Sequence, residues 1–111
     1  IVIVTSSLKD IMTLYSAGYP AIAMQSEMQI PAEKLIESLK ERFEKILVLY
    51  DNDYDKAANP GQMMGNKICI KYDLINVCIP SEYESKDPSD LVKNTGIGLL
   101  KQIINEQRGD S

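Results

Sequence analysis

Apolar residues fall along this chain in two kinds of pattern. Residues 1–4 (IVIV), 20–24 (PAIAM), 45–50 (KILVLY) and 75–79 (INVCI) are short, nearly continuous apolar runs rich in β-branched side chains, as expected of strands covered on both faces. Between them the apolar positions recur at helical spacing. Leu8, Ile11, Met12, Leu14 and Tyr15 mark a first helix that Ser6 or Ser7 can cap and Gly18 can stop. Leu35, Ile36, Leu39 and Phe43 mark a second, with Pro31 at a first-turn position and Glu33 close behind. A third helix is predicted from Pro60 or Gly61 to Tyr72, a short one over 88–93 and a terminal one over 97–107.

Strands alternate with helices from end to end, and no two strands are joined by a hairpin signal. The pattern predicts an α/β fold: one domain over residues 1–108, with a mainly parallel four-stranded sheet and helices on both faces. Residues 109–111 read as a frayed tail. The chain has 111 residues, enough for one core. Its first residue is Ile1, at the start of an apolar run, and it reads as a piece of a longer protein. With no Trp and one Phe, the core is expected to be aliphatic.

Charge and cysteine content narrow the chemistry. A net charge of −4 argues against a free-standing, sequence-independent DNA binder, which shows a basic face. It leaves room for a catalytic domain with an acidic centre whose neighbours hold the DNA. The chain has no His, and Cys69 and Cys78 lie apart in apolar surroundings, so zinc sites and His-dependent nucleophilic catalysis are excluded within it. Both cysteines read as reduced thiols and, with no apolar run near the length of a membrane span, the expected setting is the cytoplasm.

In a parallel α/β sheet, function collects at the C-terminal ends of the strands. Here those ends lead into Thr5-Ser6-Ser7, Gln25-Ser26-Glu27, Asp51-Asn52-Asp53 and the loop to Asp87. Asp51 and Asp53 follow the most hydrophobic strand, and an extended backbone there turns both carboxylates to one side. Such a pair suits a partly hydrated Mg²⁺ or Mn²⁺ ion, which can neutralise phosphate charge in phosphoryl transfer. An EF-hand loop is excluded, because Lys56 and Gln62 stand where it needs Gly and Glu. A haloacid-dehalogenase-like phosphatase needs its D-x-D after the first strand, which ends here in Thr5-Ser6-Ser7. A response-regulator receiver has an Asp at the third strand's end, as Asp51 is, but also an acidic pair after the first strand that this chain lacks, and it stays a distant alternative. Lys86-Asp87-Pro88-Ser89-Asp90 opens a helix and returns an acid to the same sheet edge. Asp10 sits in the first turn after the first strand, and Lys9 and Lys86 are candidate phosphate or nucleic-acid contacts.

In this order, the first strand with Asp10, the Leu49-Tyr50-Asp51-Asn52-Asp53 segment and Lys86-Asp87-Pro88-Ser89-Asp90-Leu91-Val92 resemble the toprim domain of primases, topoisomerases and some nucleases. The likeness runs from Ile1 to about Ile104, and the last segment looks most like the primase and primase-helicase branch, phage replication proteins included. The resemblance implies a nucleotidyl-transfer domain that binds Mg²⁺ or Mn²⁺ through Asp51, Asp53 and Asp10. Asp51, Asp53 and Asp87 would be its catalytic acids, and it would meet DNA template and nucleotides through flanking domains of a parent protein. Alignment on Asp10 places Ser6 where the family has a glutamate and Ser7 where it has a glycine, and Glu27 is the candidate replacement acid. A toprim-type nuclease and a catalytically degenerate scaffold are the alternatives. The six tyrosines suggest a topoisomerase, but that branch carries its nucleophilic tyrosine in another domain.

Overall fold

The structure is a computed structural model and describes residues 1–24 and 30–109. Its elements are β1 (Val2–Thr5), α1 (Leu8–Ser16), β2 (Ala21–Ala23), α2 (Glu33–Arg42), β3 (Ile46–Leu49), α3 (Pro60–Tyr72), β4 (Ile75–Asn76), α4 (Pro88–Thr95) and α5 (Ile97–Gln107). A 3-10 turn lies at Ser81–Tyr83. The strands form one parallel sheet in the order β2-β1-β3-β4. In the β1–β3 register, Val2 pairs with Ile46 and Thr5 with Leu49.

Side chains alternate across a strand, and the continuous apolar runs use both phases. Ile3, Leu47 and Leu49 turn to one face, where they pack with Leu14, Leu91, Leu100 and Ile104 of α1, α4 and α5. Val2, Val4, Ile46, Val48 and Tyr50 turn to the other, against Ile36 and Leu39 of α2 and Met64 and Ile68 of α3. The sheet is thus covered on both faces, as its apolar runs require.

The structure departs locally from the sequence pattern at four places. α2 begins at Glu33, not at Pro31, with Ala32 as its N-cap. In α1, Leu14 is buried but Leu8, Met12 and Tyr15 are 77%, 74% and 60% exposed. The helix is rotated to put Asp10, Leu14 and Ala17 inward, because Asp10 is hydrogen-bonded to the start of α4. α4 runs on to Thr95, two residues beyond the expected 88–93.

The fourth departure is at the sheet edge. The apolar run over 75–79 yields strand only at Ile75–Asn76, although the Val77 N–H still donates to the Val48 carbonyl. At Cys78 the side-chain amide of Gln107, at the end of α5, substitutes for a strand. Its Oε1 accepts the Cys78 N–H and its Nε2 donates to the Cys78 carbonyl, each at 2.8 Å. Of the expected tail, Gly109 is described, with φ 85°; Asp110 and Ser111 lie outside the described residues.

Candidate metal centre

The strand order fixes where a site can form. The chain leaves β1 for β2 on one side of the sheet and leaves β3 for β4 on the other, so the carboxyl ends of β1 and β3 diverge at a topological switch point. Ser6 follows β1 and Asp51 follows the β3 segment, and the Ser6 hydroxyl lies 3.5 Å from Asp51 Oδ1, a long contact for a hydrogen bond. A third segment is drawn to the same place by Asn52, which is buried. Its N–H donates to the Lys86 carbonyl and its Nδ2 to the Ile79 carbonyl, both at 2.7 Å. Together these bonds fold the 79–87 loop back over the end of β3 and deliver Asp87.

Asp10, Asp51 and Asp87 converge there, each offering a carboxylate oxygen within 4.8 Å of the others. Asp10 is 0% exposed. Its Oδ1 accepts the Ser89 hydroxyl at 2.8 Å and the Ser89 N–H at 3.3 Å, and its Oδ2 accepts the Ser7 hydroxyl at 2.9 Å. Ser7 in turn caps α1 through the Asp10 N–H. Asp87 caps α4, its Oδ1 accepting the Asp90 N–H at 2.8 Å. Two helix N-termini therefore point into the acidic group, where their partial positive charge favours carboxylates. That support is incomplete. Burial, and after it the charge of Asp87, pushes the Asp10 carboxyl above its ordinary value, against the opposing hydrogen bonds from Ser89 and Ser7. Lys9 Nζ stands 3.5 Å from Asp87 Oδ2, and Asp87 above all raises the Lys9 ammonium's pKa.

The donor set suits a hard divalent cation. Three carboxylate oxygens within 4.8 Å of one another could hold a divalent metal ion. A dication would also neutralise the charge that raises the Asp10 carboxyl.

The second acid of the D-x-D turn is placed differently from expectation. Asn59 Oδ1 takes the Asp53 N–H at 2.7 Å, and Asp53 Oδ2 accepts the Gly61 N–H at 2.9 Å, so Asp53 serves the N-terminus of α3. It is not among the grouped carboxylates. Lys86 bonds Asp55 at 2.8 Å, which raises the lysine and lowers the aspartate pKa. Glu27 lies outside the described residues.

Several supporting residues carry no chemical signature in the sequence. Ser89 anchors Asp10, and Asn52 and Asn59 are joined by a 2.7 Å side-chain bond. Gln62 donates to the carbonyls of Tyr50 and Asp51. Gly61 is the one position here where only glycine fits, since a Cβ would lie 2.2 Å from the Asp51 carbonyl oxygen. The Asn59-Pro60-Gly61 string is the available hint, a helix start with no side chain at its second residue. Among the described residues, no helix is long and apolar enough to cross a membrane. No protein-family model matches the chain, and no curated protein matches it.

Proposed function

We propose that this chain is a toprim-type domain that binds Mg²⁺ or Mn²⁺ and carries out nucleotidyl transfer as part of a DNA primase or primase-helicase. The observation that carries the reading is the convergence of Asp10, Asp51 and Asp87, from three separate segments, at the switch point of a parallel sheet. Asp51, Asp87 and Asp10 would hold the ion, with Asp10 locked in place by Ser7 and Ser89. Asp53 supports the site from behind by fixing the start of α3. A bound dication supplies charge neutralisation at the phosphate undergoing transfer. Template and nucleotide would be the substrates, held with the help of other domains of a parent protein.

Titration with Mg²⁺, followed by amide NMR, tests the metal claim. Shifts are expected at Ser6, Asp10, Asp51 and Ser89, and a flat response would sink it. Primer synthesis by the parent protein, lost in Asp51→Asn, tests the reaction; ribonucleotide-independent cleavage of DNA would favour the nuclease instead. Ser6 motivates a second reading, a scaffold without chemistry, since a serine hydroxyl beside Asp51 cannot act as a carboxylate base. Primer synthesis that survives Asp51→Asn would favour it.

A further inference from the structure

The two carboxylate oxygens of Asp87 serve different partners. Oδ1 accepts the Asp90 N–H at 2.8 Å, the capping bond of α4. Oδ2 faces the Lys9 ammonium at 3.5 Å. Oδ1 is committed to the capping bond, so Oδ2 is the freer of the two oxygens to meet a cation. Lys9 is already on it. Lys9 precedes Asp10 in the first turn of α1, which places its stem on the rim of the acidic group. Its side chain is 62% exposed against 11% for Asp87, so the ammonium can swing into solvent while the aspartate stays in place.

We infer, resting on the metal reading above, that Lys9 is a tethered competitor of the divalent ion: both take Oδ2 of Asp87, and ion binding turns the ammonium outward to meet a substrate phosphate. The two ligands then bind with positive coupling. A phosphate that draws Lys9 off Asp87 opens the oxygen, and an ion on that oxygen frees the lysine. By linkage, each must raise the affinity of the other. The device would load the ion most firmly when a phosphate is present.

The test is Mn²⁺ binding to the full chain, read from the paramagnetic resonance of the free ion, in wild type and in Lys9→Met, Lys56→Met and Asp51→Asn. Lys9→Met should bind Mn²⁺ about three- to fivefold more tightly than wild type, the scale of one weak ion pair removed. Lys56→Met controls for charge alone, since Lys56 is similarly exposed but stands 4.0 Å from Asp53, outside the acidic trio. Its affinity should change less than half as much. In a second arm, inorganic phosphate should bind the Mg²⁺-loaded wild type more tightly than the loaded Lys9→Met protein. Wild-type binding that is lost in Asp51→Asn but unchanged or weakened in Lys9→Met overturns the competitor and leaves the metal reading intact. Equal gains in Lys9→Met and Lys56→Met also overturn it. Absence of Mn²⁺ binding in wild type overturns both.

Discussion

Replacing Gly61 by alanine tests the packing that holds the site together. Helix propensity alone favours alanine by about 1 kcal/mol, so a simple surface helix would gain stability. Here the new Cβ would stand 2.2 Å from the Asp51 carbonyl oxygen and 3.0 Å from Asp53 Oδ2. To reach ordinary contact the first turn of α3 must retreat by about 1 Å. Overpacking of this kind costs about 1–3 kcal/mol. The retreat also stretches the Gly61 N–H bond to the Asp53 carboxylate, and a bond to a charged group contributes about 1.5–3 kcal/mol. After the propensity gain, a net loss of about 2–4 kcal/mol is expected, a fall of roughly 10 °C or more in Tm for a domain of this size. Thermal and urea unfolding followed by circular dichroism would measure it. Gly98→Ala is the matched control: its Cβ meets nothing within 4 Å, and a gain of about 0.4–1 kcal/mol is expected. A Gly61→Ala midpoint equal to or above wild type would refute the close approach of α3 to the end of β3.

Other perturbations separate support from ion binding. Asp53→Ala leaves the buried Gly61 N–H without its acceptor and should cost about 1–3 kcal/mol in urea unfolding while Mn²⁺ still binds. If Mn²⁺ binding is lost as fully as in Asp51→Asn in a folded protein, Asp53 belongs to the ligand set. Asp10 keeps its proton to higher pH in the folded chain than its ordinary value of 3.8, so the folded state binds more protons across that interval. Wild type should therefore lose stability relative to Asp10→Asn as pH rises from 3.8 to the raised value, and hold a constant difference above it; Tm measured from about pH 3 to 7 shows the trend or its absence. Asn52→Ala should cost about 2–3 kcal/mol, since it removes side-chain bonds to Ile79 and Asn59. It should also lower Mn²⁺ affinity by releasing the Asp87 loop, so an affinity equal to wild type would show that the loop is held by other contacts. Burial pushes the Cys69 thiol up to about 11, and native protein near neutral pH should react with a thiol reagent at that residue only as fast as it unfolds.

The parts of this molecule legible in the sequence are those dictated by local pattern. The KILVLY run announces a central strand, and Ser7 and Pro60 mark the starts of helices whose limits follow from capping chemistry. Asp51 and Asp87 could be assigned to one sheet edge because parallel topology sends strand ends there. What was not legible depends on side chains far apart in sequence. The spacing of Asp51 and Asp53 suggests one shared role, but Asn59 and Gly61 engage Asp53 at the start of α3. The inward turn of Asp10, which exposes Leu8, Met12 and Tyr15, follows from Ser89, distant in the chain. An apolar stripe counted along α1 alone finds Leu14 and Ile11, which do meet the core, but not Asp10.

The Gln107 amide that pairs with Cys78 also bears on how copies of this chain meet. A parallel sheet has two open margins, each a row of peptide groups on which a foreign strand can grow. Here the outer strands are the short ones, Ala21–Ala23 at one margin and Ile75–Asn76 at the other. Beyond Asn76 the apolar sequence Val77-Cys78-Ile79 has the composition of an adhesive segment, yet both peptide groups of Cys78 are already bonded by a side chain of the same molecule. Gln107 thus protects against self-association: a leucine there would leave the helix intact while uncovering a β-prone margin, with aggregation on concentration or heating as the expected result.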